Sequence, residues 1–146
     1  MDEPIAQRVI LVVQSNPEHI ARIRAVFAES DLSHHLVVIS DGKQALEFLH
    51  QRGDYQTAPR PDLILLELDL SGTDGREILA EVKTAPKLRR IPIVVLALSD
   101  RDEDIFKIYS LQGNCYVVKS ADLTQLSQTI KRIEEFWLGI VTLPVE

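Results

Sequence analysis

The chain has 146 residues, 45% of them hydrophobic, which is enough for one folded domain with a real core. Its formal net charge of −6 disfavours nucleic acid or an anionic membrane as a direct partner, because their phosphates would be repelled. A single cysteine, Cys115, excludes an intrachain disulfide; we expect a small core residue and a reducing, cytoplasmic compartment. Neither a signal peptide nor an apolar run long enough to cross a bilayer is visible.

Read in order, the chain alternates strand-like and helix-like segments. Branched apolar runs predict buried strands at residues 9–13, 35–39, 63–66, 91–98 and 115–118. Apolar residues at helical spacing follow each run, for example Ile20, Ile23 and Phe27 after the first. Right-handed crossovers between parallel strands place helices on both faces of the sheet. The order therefore predicts a three-layer α/β fold, with a parallel five-stranded sheet in the flavodoxin-like order 2-1-3-4-5.

The helix starts carry residues that can cap them. Ser15 or Asn16 can accept from the first N–H groups of a helix that has Pro17 in its first turn. Asp74 can do the same for the third helix.

We expect one domain over residues 1–146, with a core at about 8–138 and a short C-terminal tail at 139–146. The four histidines lack metal-ligand spacing and are expected at surface or edge positions: His19, His34, His35 and His50.

The segment from residue 61 to residue 75 is the one around which the chain is organised. It reads as a fully buried strand, a loop with two glycines and the start of a helix. The strand ends at Glu67, and ligands of parallel α/β sheets bind at the carboxyl ends of strands. In the predicted order the first and third strands are neighbours. One crevice then receives Gln14, Ser15 and Glu67, with Ala97 and Lys119 at neighbouring strand ends.

This segment resembles the phosphoacceptor segment of two-component receiver domains, the response regulators. Matched positions at the ends of four strands extend the resemblance from about residue 9 to about residue 133. The family has an aspartate that takes up phosphate at the position of Glu67, and an acidic pair that holds Mg²⁺ at the positions of Gln14 and Ser15. It has a hydroxyl residue at the position of Ala97. Two positions match the family's lysine and its switch aromatic, namely Lys119 and Tyr116.

The departures from the family pattern predict a degenerate phosphorylation site. Mg²⁺ prefers charged oxygen ligands, so an amide and a hydroxyl in place of two carboxylates should abolish tight binding. The carboxylate of Glu67 lies one methylene further out, and an error of about 1 Å can cost about a hundredfold in a geometry-limited transfer. Asp69 and Glu67 could still recruit a weak cation, although solvation of Asp69 is favoured. We expect no bound metal or other cofactor and no enzyme activity.

Glu67 and Lys119 suggest a further hypothesis. The two charges could form a salt bridge in place of the acyl phosphate and lysine, since a longer carboxylate partly imitates a phosphorylated aspartate. The alternative is that Glu67 is merely tolerated at its position. Partly exposed ion pairs are worth about 0–1 kcal/mol, so the sequence leaves both possibilities open.

Large apolar residues outside the predicted core mark a surface for a partner. They lie on the fourth and last helices: Phe106, Tyr109, Phe136, Trp137 and Leu138. Residues 114–116, 119–121 and 133–138 look like the single-domain response regulators that partner cyanobacterial phytochrome histidine kinases. The resemblance implies a homodimer and a histidine-kinase partner.

Three functions compete at this point. The first is a pseudo-receiver in a phosphorelay, a phosphorylation-independent and dimeric binding module for a histidine kinase, with any output domain on another chain. The second is a functional phosphoacceptor that uses the atypical carboxylate of Glu67. The third, an unrelated α/β enzyme or flavin binder, is disfavoured because no Gly-rich phosphate loop follows the first strand and no Ser-His-Asp set stands at the strand ends.

Overall fold

The structure, a computed structural model, describes residues 8–30, 34–70, 72–98, 100–111, 115–140 and 143. Within these residues five parallel strands form the sheet: β1 (Arg8–Val13), β2 (His34–Ile39), β3 (Leu63–Glu67), β4 (Ile93–Ala97) and β5 (Cys115–Val118). Their order, β2-β1-β3-β4-β5, confirms the predicted flavodoxin-like arrangement. The strand β4 is shorter than the predicted 91–98, because Ile91 donates its N–H to Leu88 in a turn and Pro92 has no N–H to donate.

Five α-helices alternate with the strands: α1 (Pro17–Ala28), α2 (Gly42–Leu49), α3 (Gly75–Thr84), α4 (Asp102–Ser110) and α5 (Leu123–Glu134). A π-helical turn, Glu135–Ile140, continues α5. The side chain of Asn16 accepts from the N–H groups of Glu18 and His19, and that of Asp74 accepts from Arg76, so both predicted caps are present. Of the predicted tail, residues 141–142 and 144–146 lie outside the described part of the chain.

The sheet is covered on both faces, as the alternation of side chains along each strand requires. On one face, Leu11, Ile64 and Val95 pack with apolar residues of α2, α3 and α4. On the other face, Ile10 and Leu65 pack with residues of α1 and α5. The predicted three layers are therefore confirmed, and the carboxyl ends of β1, β3 and β5 are left to form one edge.

A buried polar cluster joins the end of α1 and the start of β2 to the end of α5. Ser30 Oγ donates to Glu134 Oε1, and His34 Nε2 lies 3.2 Å from the same oxygen. His34 is on the edge strand β2, as predicted for the histidines, but its side chain is almost fully covered by these neighbours. This cluster attaches the last helix to the opposite end of the sheet from Glu67.

Cys115 opens the edge strand β5 and is half-buried, because strand β4 covers it on one side only. Its side chain packs against the core that α1 and α5 share. Burial raises the pKa of the Cys115 thiol, so the reactive thiolate is disfavoured at neutral pH. The predicted small core residue therefore packs against the core as expected, but it is half-buried and not buried.

Gly75 begins α3 in direct contact with the end of β3. A Cβ here would lie 2.6 Å from the carbonyl oxygen of Glu67 and 2.9 Å from Cα of Leu68. Because these backbone atoms cannot swing aside, Gly75→Ala is expected to lower the free energy of unfolding by about 2 kcal/mol in urea denaturation. The control is Glu77→Ala, exposed in the same helical turn, which should cost less than about 0.5 kcal/mol. An equally small loss for Gly75→Ala would contradict this close contact.

Candidate functional site

A crevice of about 660 Å³ opens at the carboxyl edge of the sheet, between the ends of β1, β3 and β5. Its lining brings together five predicted site residues and one histidine that was not predicted there: Gln14, Ser15, Glu67, Asp69, Lys119 and His19. Ala97 is fully buried and does not line the crevice, whereas its neighbour Leu98 does. Asp69 lies at the rim with an exposed side chain.

Glu67 lies at the centre of this crevice, and its side chain is only 3% exposed. Its Oε1 accepts from the backbone N–H of Asp69 at 3.2 Å. Its Oε2 accepts from Gln14 Nε2 at 3.1 Å and forms an ion pair with Lys119 Nζ. Both carboxylate oxygens are therefore engaged by donors of the chain itself.

Gln14 has a fixed orientation because its two ends have different partners. Its Oε1 accepts from the backbone N–H groups of Ser15 and Asn16, at 2.9 and 3.0 Å. The amide NH₂ consequently faces Glu67. A carboxylate at position 14 could accept the same two backbone bonds but would direct a second negative charge at Glu67.

Lys119 is buried, with a side chain 4% exposed, directly after β5. Its ammonium group contacts Glu67 Oε2 and lies 2.9 Å from His19 Nδ1. The structure contains the hypothesised ion pair between Glu67 and Lys119. The assumption that the pair is partly exposed is wrong, because both side chains are buried. Burial removes water from around the two charges and so strengthens their attraction. Removing either partner would leave the other charge buried and uncompensated, which would lower the free energy of unfolding.

His19 is a site residue that the sequence analysis missed. It was expected at a surface or edge position, yet it is buried on the first turn of α1. The signal was available in the spacing, since His19, Ile23 and Phe27 follow one another by four residues and are the buried face of α1. Ile20, which the sequence analysis placed on that face, is half-buried.

The environment of His19 favours the neutral imidazole. Burial lowers the pKa of His19, and the charge of Lys119 lowers it further, against the smaller opposing effects of Glu67 and Glu18. A neutral imidazole can accept a hydrogen bond from the Lys119 ammonium at Nδ1. The Lys119 ammonium and the Glu67 carboxylate are thus in contact with each other. Each also contacts a neutral side chain, His19 in the case of Lys119 and Gln14 in the case of Glu67.

The loss of stability on acidification tests this state of His19. Above about pH 6.5 the imidazole is neutral in the folded and unfolded chain alike and adds no pH dependence. Below that pH the unfolded chain binds a proton that the folded site disfavours, so the folded state loses stability. Urea denaturation at about pH 7.5 and about pH 5.5 should show a larger loss for the wild type than for His19→Asn, which retains an acceptor.

The control for this experiment is His35→Asn, because His35 is an exposed histidine on the neighbouring part of the sheet. This variant should keep the pH dependence of the wild type. If His19→Asn also kept it in full, the buried neutral imidazole would be contradicted.

The donors at the end of β1 are a poor match for Mg²⁺, because they are the amide of Gln14 and the hydroxyl of Ser15, whereas Mg²⁺ prefers carboxylates with several retained waters. Two further carboxylates line the crevice, those of Glu18 and Asp69, and both side chains are exposed. The Lys119 ammonium lies against one of the two oxygens of Glu67. Among the described residues, no three His, Cys, Asp or Glu side chains are grouped to hold a metal ion.

A second feature is a set of exposed apolar residues on α4, β5 and the turn after α5. Phe106 is 75% exposed, and Tyr109 and Phe136 are about half exposed. Trp137 and Leu138, which were predicted to join this surface, pack partly against the core of α1 and α5. Sequence reasoning missed two further exposed apolar residues, Leu98 and Val118.

Tyr116, at the switch-aromatic position, is half-buried on β5 and packs against the core of α2, α3 and α4. Its backbone N–H donates to the hydroxyl of Tyr109 at 3.2 Å, which links β5 to α4.

No helix in the described ranges combines the length and apolarity needed to cross a bilayer.

Known proteins resemble this chain over almost its full length. A model of the response regulator receiver domain matches residues 10–131. Response regulator Rcp1 of Synechocystis is 44% identical over 143 residues, which are 98% of this chain and 97% of the relative. The phosphorylated cyanobacterial phytochrome response regulator RcpA superposes with a TM-score of 0.92 at 49% identity, over 96% of this chain and 100% of that one. The Mn²⁺-bound form of Rcp1 superposes with a TM-score of 0.91 at 44% identity, over 94% and 99%.

Proposed function

Because the chain belongs to the response regulator receiver domain family, we propose that it is a stand-alone receiver that signals by being bound and takes up no phosphoryl group. The observation that carries the proposal is the buried contact between Lys119 and Glu67. In the family pattern this lysine meets the phosphoryl oxygens, whereas here it already has a carboxylate partner of the same chain.

The hydrogen bonds of Glu67 support the same conclusion. An attacking carboxylate needs an oxygen directed at the phosphorus and a cation that neutralises the incoming phosphate. Oε1 is held by Asp69 N–H, and Oε2 is shared by Gln14 and Lys119. We therefore propose that the crevice is a fixed imitation of an occupied site, without Mg²⁺ and without catalysis.

The proposed partner is a histidine kinase, and a phytochrome is its expected photosensory part. RcpA is described as a cyanobacterial phytochrome response regulator, and a further structural relative at 33% identity is a bacteriophytochrome response regulator. We propose that a second copy of the chain covers Phe106, Tyr109 and Phe136, because these large aromatic side chains are exposed and aromatic residues are enriched at interfaces.

Phosphorylation by acetyl phosphate tests the main proposal against its alternative, a phosphoacceptor that uses Glu67. RcpA, at 49% identity, has been seen phosphorylated, so the alternative has a specific precedent. The protein is incubated with acetyl phosphate and Mg²⁺, and its intact mass is measured at once. We expect no added phosphate, and unchanged binding to a phytochrome histidine kinase with or without ATP. A metal-dependent phosphate that Glu67→Ala abolishes would overturn the proposal.

The oligomeric state is tested separately by analytical ultracentrifugation. Phe106→Glu places a charge in the middle of the proposed interface and is expected to weaken the dimer at least about tenfold. Ala25→Glu, an equivalent change on the exposed face of α1, should leave it unchanged. A wild-type chain that stays monomeric at high concentration would refute the dimer and leave the phosphorylation test unaffected.

A further inference from the structure

A groove lies at the opposite edge of the sheet from the Glu67 crevice. It runs between the end of α2, the segment before β3 and the connector from α3 to β4. Two adjoining cavities, of about 410 and 480 Å³, form it. They share four lining residues, which are Gln51, Arg60, Pro86 and Lys87. Cavities that take small organic ligands have about this size, roughly 300–1,000 Å³.

The two halves of the groove differ in chemistry. The first cavity has an apolar floor of Leu49, Ala85 and Leu88. The second is lined by cations, with Lys87, Arg89 and Arg90 from the connector and Arg60 from the other side. An apolar floor that borders a group of guanidinium and ammonium groups suits a ligand with one apolar end and one anionic end.

The charge of the groove contrasts with that of the whole chain. The chain has 22 acidic and 16 basic residues, yet four basic side chains line one cavity. Among the described residues, no carboxylate forms an ion pair with Lys87, Arg89 or Arg90. The nearby Glu81 is engaged by His50 and Arg52 instead. The cavity therefore attracts anions on a surface that otherwise repels them.

The walls of the groove are already fixed. Buried Lys83 donates to the backbone carbonyls of Arg89 and Ile91, at 3.2 and 2.9 Å, and so holds the connector in place. On the other wall Gln51 has a φ of +54°, a conformation that costs energy for a residue with a side chain, and its Nε2 donates to Ala58 O. A ligand that binds between these walls therefore orders the exposed side chains of Lys87, Arg89 and Arg90 but little backbone, which lowers the entropic cost of binding.

We propose that this groove binds a nucleotide, with the phosphates against the connector cations Lys87, Arg89 and Arg90 and the base on the floor of Leu49, Ala85 and Leu88. Guanidinium groups bind phosphate oxygens in pairs, and a planar base fills an apolar floor beside them. An inorganic anion would leave the apolar half unused. An acidic peptide is a less suitable occupant, because the concave cavities match a compact ligand better than an extended chain.

Titration of the ¹⁵N-labelled protein with ADP, without added metal, tests the proposal by NMR. We expect saturable shifts at the amides of the groove, among them Gln51 and Leu88, and none at Glu67. Adenosine and pyrophosphate, tested separately, should each bind at least about tenfold more weakly than ADP. Pyrophosphate as tight as ADP would overturn the nucleotide in favour of a simple anion site. An acidic peptide that outcompetes ADP, or no saturable shift with ADP, would also overturn it.

A charge-matched pair of variants completes the test. The double variant Lys87→Glu, Arg90→Glu should weaken ADP binding at least about tenfold, because two phosphate contacts become repulsive. The control double variant Arg22→Glu, Arg24→Glu makes the same change in net charge on the exposed face of α1. Equal weakening by both variants would show only a general charge effect and would overturn the site.

Discussion

Replacing Lys119 by methionine is expected to lower the free energy of unfolding by about 3–5 kcal/mol, because Glu67 would remain buried without its counter-charge. Methionine keeps the length and apolar bulk of the lysine stem, so packing changes little. Urea denaturation at neutral pH measures the loss. Lys131→Met, an exposed position on α5, is the matched control and should change stability by less than about 0.5 kcal/mol.

A double-mutant cycle separates the ion pair from the burial of each group. Glu67→Gln alone leaves the buried ammonium of Lys119 beside the neutral His19 and without its counter-charge, so it is also expected to be strongly destabilising. The combined variant Glu67→Gln, Lys119→Met removes both charges. Its loss should fall short of the sum of the single losses by at least about 1 kcal/mol. Additive losses would mean that the two groups do not interact.

Adding two carboxylates at positions 14 and 15 and shortening the one at position 67 should convert the crevice into a metal site. In the variant Gln14→Glu, Ser15→Asp, Glu67→Asp, three acidic groups meet at the ends of β1 and β3, and their mutual repulsion favours a divalent cation. The shorter aspartate also withdraws from Lys119, which leaves the ammonium available for phosphoryl oxygens. We expect a saturable Mg²⁺ titration, a melting temperature that rises with Mg²⁺, and phosphate uptake from acetyl phosphate.

The wild type and Glu67→Asp alone are the controls for this experiment. Neither has the acidic pair, so neither should gain stability from Mg²⁺ or take up phosphate. If the wild-type chain bound Mg²⁺ as tightly as the triple variant, Gln14 and Ser15 would not be the residues that prevent metal binding.

The fold could be predicted because local and long-range signals agree. Apolar runs of strand length, capping residues such as Asn16 and Asp74, and short connections leave one natural strand order. That order alone brings Gln14, Glu67 and Lys119 to one edge of the sheet. The contact of His19 with Lys119 was missed because Ile20, and not His19, was placed on the buried face of α1. The four-residue spacing of His19, Ile23 and Phe27 marks that face. The close approach of Glu67 to Lys119 depends on side-chain positions that the spacing does not specify.

The groove at the other edge was missed for a different reason. Arg60 lies in a polar loop, and Lys87, Arg89 and Arg90 lie in a charged connector, so each reads separately as an ordinary solvated residue. Only the three-dimensional structure shows that the two segments line one concavity beside an apolar floor. The spacing of apolar residues predicts helices and strands, but it does not show which charged residues of distant segments come together.

Gln14 and Lys119 share one oxygen of Glu67, so the three positions depend on one another. An aspartate at position 67 would draw the carboxylate away from the buried lysine, and a glutamate at position 14 would set two like charges side by side. Each single substitution is therefore expected to cost stability by itself. A redesign of this crevice has to change the three residues together.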